Sequence, residues 1–203
     1  MARREGLLVD YGGVLTTDMF ASFHAFCALE GLDPETIGQR FSEDPSCRRL
    51  LIALETGSLE EAEFERGFAA ALGVEEAHLI DRLFADSKPD LEMLDAVRAA
   101  RAAGVRTGMV SNSWGTRRYD RALLSELFDG VVISGEVGIR KPAPEIYSLG
   151  AESIGLTPGA CVFVDDLLHN LAPAAELGMA TVHHHDARET VAELERLLSV
   201  RLQ

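Results

Sequence analysis

Residues 6–15 read G-L-L-V-D-Y-G-G-V-L, an apolar run that stops at an acidic residue and is followed by two glycines. The run from Gly6 to Val9 is apolar on both faces, which is typical of a parallel strand covered on both sides. Asp10 then stands where this strand ends. Because open α/β sheets bind ligands beyond the carboxyl ends of their strands, the stretch predicts the fold class and a candidate active residue together.

Four further apolar runs follow, separated by segments of helical length. They are 105–110, 131–133, 161–164 and 180–182. Such a β-α-β alternation predicts a parallel sheet with helices on both of its faces. We therefore expect an α/β fold of the Rossmann-like, three-layer kind.

The first two predicted strands are separated by far more residues than a single crossover needs. Within this interval the apolar residues recur at helical spacing, as at Phe64, Phe68 and Leu72. We expect a small all-helical cap at residues 17–87, inserted after the first strand, with the core formed by 1–16 and 88–203. Ser58 and Glu61 predict a capping box that opens one of the cap helices.

Composition limits the class of protein. The 203 residues are 47% hydrophobic, which suffices for a core without disulfides, and the three cysteines form no C-x-x-C pair. No stretch approaches the roughly 18 apolar residues of a membrane span. A net charge of −14 argues against nucleic acid as a partner. We expect a soluble, cytoplasmic protein with no membrane partner.

Polar side chains stand at the predicted strand ends and in one loop. Any one of them alone is more often a turn former or a helix cap. Together they meet the needs of a carboxylate nucleophile on a phosphate ester, which are a divalent cation, phosphate donors and a fixed positive charge. The set is Asp10 as nucleophile, Ser111 and Asn112 as donors, Lys141 as cation, and Asp165 with Asp166 as acid pair.

Four segments that carry these residues resemble, in order and separation, the motifs of the haloacid dehalogenase superfamily. They are V-D-Y-G-G-V-L at 9–15, V-S-N-S at 110–113, G-I-R-K-P-A-P-E-I-Y at 138–147 and F-V-D-D-L-L-H-N at 163–170. The second and fourth are similar to the branch that contains the phosphatase domain of soluble epoxide hydrolase. The resemblance implies a haloacid dehalogenase-like core and a magnesium-dependent hydrolase of small phosphorylated metabolites.

The resemblance also implies a role for each matching residue. Asp10 forms the aspartyl-phosphate, Ser111 binds phosphate, and Lys141 steadies both nucleophile and phosphate. The magnesium ligands are Asp10, Asp166, the backbone carbonyl of Gly12 and, indirectly or through water, Asp165. Asn112 adds a donor to phosphate or substrate.

Position 12 departs from the family pattern. The family's phosphatases usually carry a second aspartate there as general acid, a contribution on the order of 10² to 10⁴ in rate, whereas this chain has Gly12. Three interpretations are open. The protein acts on substrates with good leaving groups, or it recruits an acid or water from the cap. Alternatively, it has lost its activity and serves as a binding or regulatory protein. The retained nucleophile, lysine and acid pair favour an enzyme.

Two further interpretations are less favoured. A dehalogenase needs no metal, and the pair Asp165 and Asp166 resembles a retained metal site. The run His183 to His185 has a metal-binding composition, but consecutive side chains leaving a strand diverge, so a surface loop is expected there. Arg117 and Arg118 are expected on a solvated face.

Overall fold

A computed structural model gives the structure of residues 4–202, so residues 1–3 and 203 of the predicted core lie outside the described part. Five parallel strands form one sheet in the order β3-β2-β1-β4-β5. The strands are β1 (Gly6–Val9), β2 (Arg106–Ser111), β3 (Gly130–Ile133), β4 (Cys161–Asp165) and β5 (Ala180–His183). The predicted α/β class and all five predicted strands are confirmed.

The order of the strands places a switch point at β1. The chain moves outward from β1 through β2 to β3, then returns to the other side of β1 for β4 and β5. Connections therefore leave the carboxyl end of the sheet in opposite directions on the two sides of β1, which opens a crevice there. Asp10 follows β1 at this crevice.

Helices surround the sheet and fill the long interval after β1. In chain order they are α1 (Met19–Glu30), α2 (Thr36–Glu43), α3 (Pro45–Glu55), α4 (Glu61–Leu72), α5 (Leu79–Leu83), α6 (Leu91–Ala102), α7 (Arg121–Leu127), α8 (Ser134–Val137), α9 (Pro144–Ser153), α10 (Leu168–Glu176) and α11 (Ala187–Leu198). None of the helices within residues 4–202 is long and apolar enough to cross a membrane.

The two faces of the sheet carry separate apolar layers. On one face, strand residues such as Leu7 and Val164 pack with α6, α7 and α11. On the other face, Leu8 and Phe163 pack with α9 and α10. Strand residues are thus buried on both sides, which explains why the strands read as unbroken apolar runs instead of alternating patterns.

Helices α1 to α5, called the insert below, have an apolar cluster of their own. Phe23, Ile37, Phe64 and Phe68 are buried in it, and Trp114 from the segment after β2 joins them. A backbone bridge between Thr16 and Pro89 brings the two ends of the insert together. The division of the chain at 16/17 and 87/88 stays a prediction.

The predicted capping box at Ser58 is wrong. Helix α4 begins at Glu61 with Glu60 as N-cap and no side-chain cap. The Ser58 hydroxyl instead donates to the carbonyl of Ala53 at the end of the preceding helix. Glu61 is turned toward the core, where its carboxylate pairs with Arg117 at 3.0 Å.

Candidate active site

Three of the predicted site residues meet because parallel strands end at the same edge. Asp10 follows β1, while Ser111 and Asp165 are the last residues of the two strands that flank it. The backbone N–H of Asp10 still donates to the carbonyl of Val164 at 2.9 Å, so its position is fixed by the ladder. All three are buried.

Lys141 supplies a buried positive charge between two carboxylates. Its side chain is fully buried, and its Nζ lies 2.8 Å from Asp10 Oδ2 and 2.7 Å from Asp165 Oδ2. Burial alone would lower the pKa of Lys141, but the carboxylates of Asp10 and Asp165 outweigh it and raise the pKa above its usual range. The ammonium is therefore charged whenever both carboxylates are.

Asn112 holds Lys141 in place through the backbone. Its Oδ1 accepts from the N–H of Lys141 at 2.8 Å, and its Nδ2 donates to the carbonyl of the same residue at 3.1 Å. The amide is thus engaged with the protein on both sides. The predicted contact of Asn112 with substrate stays a prediction.

Three carboxylates converge beside this lysine. Each of Asp10, Asp165 and Asp166 offers an oxygen, and these oxygens lie within 4.8 Å of one another. Burial, reinforced by the two other carboxylates and opposed by Lys141, raises the pKa of Asp10 to about 8. Burial and Asp165 raise the pKa of Asp166 to about 6. One ammonium leaves this group with an excess of negative charge.

The oxygens of Asp165 are already committed within the protein. Oδ2 binds Lys141, and Oδ1 accepts from the N–H of Leu167 at 2.9 Å and from Asn170 Nδ2 at 3.0 Å. The carboxylate of Asp166 is only partly buried and lines the adjoining cavity. An all-oxygen set with unbalanced negative charge fits a hard divalent cation such as Mg²⁺.

Two glycines lie in the loop after β1 and differ in the space around them. Gly13 has a φ of +73°, and a Cβ built on it would lie 2.3 Å from Asp166 Oδ2. Only glycine therefore allows the loop after β1 to approach Asp166 this closely. At Gly12 a Cβ would meet nothing nearer than Met19 Sδ at 3.7 Å, so the absence of a side chain there is not imposed by lack of space.

Tyr119 is a site residue that the sequence did not reveal. Its hydroxyl lies 2.9 Å from Ser111 Oγ, and its ring packs edge-on against Tyr11 at 5.0 Å between centroids. Burial raises the pKa of Tyr119 well above its usual range, so the hydroxyl keeps its proton. No local pattern indicates this contact, because Tyr119 lies in an irregular segment after a 3₁₀ turn.

Asp10, Asp166 and Lys141 line a cavity of about 700 Å³ between the core and the insert. Its wall is formed mainly by aromatic and aliphatic side chains, as is usual for small-molecule sites. They include Phe20, Phe23, Ile37, Phe41, Leu51, Ile52, Phe84 and Trp114. Trp114 thus both packs within the insert and lines the cavity.

Positive side chains also line the cavity in an otherwise acidic protein. Both lysines of the chain, Lys88 and Lys141, are among them, together with Arg48, Arg118 and Arg140. Arg118 pairs with Asp81 of the insert at 2.7 Å, as Arg117 does with Glu61. These two arginines therefore join core and insert. The side chain of Arg117 is nevertheless 83% exposed, as expected of a solvated face, whereas that of Arg118 is largely covered.

The histidine run is built into the edge of the sheet. His183 ends β5, and its Nε2 lies 2.9 Å from the carbonyl of Asp166. His184 is buried with its Nδ1 2.9 Å from Thr190 Oγ1. Within residues 4–202, the metal-compatible cluster contains aspartates and none of these histidines. His183 and His184 are therefore packed against the protein, whereas His185 is exposed in the loop after β5, as expected of a surface loop.

The chain is similar to proteins of one known family. Residues 5–178 match the family model of haloacid dehalogenase-like hydrolases. Bifunctional epoxide hydrolase 2 of Sus scrofa is 34% identical over 132 residues, which are 62% of this chain. The chain spans only 24% of the length of that relative. The match therefore concerns only one part of a larger protein.

Two further matches extend the comparison. The sesquiterpene phosphatase astK of Aspergillus oryzae is 31% identical over 114 residues, 55% of this chain and 58% of that protein. A family enzyme from Bacteroides thetaiotaomicron, solved with magnesium and inorganic phosphate, aligns with a TM-score of 0.66. It covers 90% of this chain and 94% of its own at 23% identity, which supports the fold alone.

Proposed function

Because the chain belongs to the haloacid dehalogenase-like hydrolase family, we propose that it is a magnesium-dependent phosphatase that forms an aspartyl-phosphate at Asp10. The observation that carries this proposal is the contact between the Asp10 carboxylate and buried Lys141 at 2.8 Å, at the wall of a cavity. A buried carboxylate that is held in one orientation by a fixed cation is suited to attack phosphorus.

Each residue of the site has a part in this reaction. An oxygen of Asp10 attacks phosphorus, while Lys141 and the Ser111 hydroxyl hold the phosphoryl oxygens. The Tyr119 hydroxyl, 2.9 Å from Ser111 Oγ, orients that hydroxyl. Asn112 fixes the backbone of Lys141 and so the direction of its ammonium.

The carboxylates of Asp10 and Asp166, with the backbone carbonyl of Gly12, would hold the metal. Asp165 would act through water, because its oxygens already bind Lys141, Leu167 and Asn170. Bound magnesium would neutralise charge on the transferring phosphoryl group. The similar structure solved with magnesium and phosphate supports this choice of metal.

The cavity favours a phosphate ester whose alcohol part is apolar. Phe20, Phe41, Ile52 and Trp114 line the space into which the leaving group would extend. Burial of such a chain is favourable by about 0.8 kcal/mol per methylene. The name of the Aspergillus relative, a sesquiterpene phosphatase, supports an apolar alcohol as well.

A series of n-alkyl phosphates tests this function. With Mg²⁺ we expect hydrolysis whose kcat/KM rises up to about fourfold per added methylene, the factor equivalent to full burial of each CH₂. Chelation with EDTA should abolish turnover and added Mg²⁺ restore it. Ile52→Asn should flatten the dependence on chain length, and Leu29→Asn, an exposed leucine outside the cavity, should not.

Two results would contradict parts of the proposal separately. If wild type and Asp10→Asn release phosphate at the same rate from every ester, the phosphatase assignment fails and a binding or regulatory role takes its place. If turnover requires Asp10 and Mg²⁺ but is independent of chain length, the phosphatase assignment is supported and the preference for an apolar alcohol is contradicted.

A further inference from the structure

The proposed phosphatase lacks a proton donor at the usual position. Gly12 lines the cavity beside Asp10 but has no side chain to protonate the departing alkoxide. An alkyl alcohol is a poor leaving group, so an unassisted reaction would forfeit the contribution of general acid catalysis. The need for another side chain that protonates the leaving oxygen rests on the proposed function.

One carboxyl group in the cavity lies outside the aspartate cluster. Among the described residues that line the cavity, the acidic ones are Asp10, Asp166 and Glu55. Asp10 and Asp166 belong to the proposed metal and nucleophile group. Glu55 reaches the cavity from the insert, because it is the last residue of α3.

The carboxyl group of Glu55 is buried beside a charged partner, Arg140. The residue is 5% exposed, and its Oε2 lies 2.5 Å from Arg140 Nε. Neither of these two atoms makes a hydrogen bond of acceptable geometry within the described part of the chain. The Arg140 guanidinium thus pairs with this carboxyl group without a well-directed hydrogen bond, and incomplete hydrogen bonding of a buried polar group is costly unless a ligand completes it.

The backbone around Glu55 is anchored independently of its carboxyl group. Ser134 Oγ donates to the carbonyl of Glu55 at 2.5 Å and accepts from the N–H of Ser113 at 2.8 Å. Gly57 lies so close to the core that a Cβ there would be 2.2 Å from the carbonyl oxygen of Gly135. Replacing the carboxyl group should therefore leave the backbone of this part of the insert in contact with the core.

The protonation state of Glu55 suits an acid. Burial raises the pKa of Glu55 to about 7, although Arg140 and Lys141 pull it down. A general acid works best when its pKa lies near the working pH, since it is then both present in the acid form and able to release its proton.

We propose that Glu55 replaces the missing aspartate as the proton donor of the reaction. An oxygen of Asp10 forms a bond to phosphorus, and the bond between phosphorus and the ester oxygen breaks. The electron pair goes to that oxygen, which takes the proton of Glu55 and leaves as the alcohol. In the second step the Glu55 carboxylate accepts a proton from water, whose oxygen attacks phosphorus and releases phosphate and Asp10.

The test compares Glu55→Gln on two leaving groups. In a single turnover with Mg²⁺, cleavage of n-octyl phosphate should slow by on the order of 10²-fold or more, the range of general acid catalysis. The burst of p-nitrophenol from p-nitrophenyl phosphate should keep its rate within about threefold, since that leaving group needs little protonation. Glu61→Gln is the matched control, because it removes the charge of an insert carboxylate that pairs with Arg117 of the core outside the cavity.

A rescue variant excludes a loss that is merely structural. Gly12→Asp in the Glu55→Gln background should raise the rate on octyl phosphate at least about tenfold above that of Glu55→Gln, since position 12 has room for a side chain. Equal losses on both substrates, or no loss on either, would overturn the proposal. A selective loss in His169→Asn instead would also overturn it, because His169 is a histidine that lines the same cavity. If wild type cleaves neither ester, the proposed function itself fails, which is a separate result.

Discussion

Lys141→Met is expected to lower kcat on p-nitrophenyl phosphate by on the order of 10² to 10³-fold, the size of losing one preorganised electrostatic contact. The lysine is fully buried with its Nζ within 2.8 Å of both Asp10 and Asp165. Without it, the neighbouring carboxylates lose the ammonium that partly balances their charge. Phosphate binding and orientation of the nucleophile should be lost together.

The same substitution should also lower stability. Removing one partner of a buried ion pair typically costs about 3–5 kcal/mol, because the other charge stays buried. Urea unfolding measured with and without Mg²⁺ checks this effect apart from activity. Lys88→Met is the matched comparison, since it removes the other lysine of the chain from an exposed place at the cavity. A similar loss of kcat in both variants would contradict the role of Lys141.

Gly13→Ala should weaken Mg²⁺ binding on the order of 10- to 100-fold, the size expected when the support of a metal ligand is disturbed. Its Cβ would lie 2.3 Å from Asp166 Oδ2, so the carboxylate has to move. The positive φ of +73° adds a backbone cost of about 1–2 kcal/mol. Titration calorimetry with Mg²⁺ measures the first effect, and thermal unfolding measures the second.

Gly31→Ala separates these two effects. Gly31 has almost the same φ, +71°, but a Cβ there would meet nothing within 4 Å. It ends α1, away from the aspartate cluster. Both variants should therefore carry a similar backbone cost, and only Gly13→Ala should lose metal affinity. Equal Mg²⁺ binding by the two variants would show that Asp166 is not a ligand.

The fold could be predicted because the sheet is covered on both faces. Parallel strands buried on two sides must be apolar throughout, and this leaves a signal within each strand that does not depend on tertiary contacts. Asp10, Ser111 and Asp165 could be brought together for the same reason, since the ends of adjacent parallel strands meet. Lys141 was found through its motif and its rarity in an arginine-rich chain.

Residues that reach the site from elsewhere left no such signal. Glu55 is the last residue of an insert helix, and Tyr119 lies in an irregular segment, so neither stands at a strand end. Their position depends on how the insert and the loops pack, which spacing alone does not reveal. The capping box at Ser58 failed for a related reason, because the preceding turn binds its hydroxyl to Ala53 instead.

The central claim is that Asp10 carries the phosphoryl group, and chemical trapping of the intermediate tests it most directly. The protein is mixed with p-nitrophenyl phosphate and Mg²⁺, quenched in acid during the burst and reduced with borohydride, which converts an acyl phosphate of aspartate to homoserine. Peptide mass spectrometry should find homoserine at position 10, and none in Asp10→Asn or when EDTA is present. Continued phosphate release with homoserine absent from position 10, or present at another aspartate, would contradict the account.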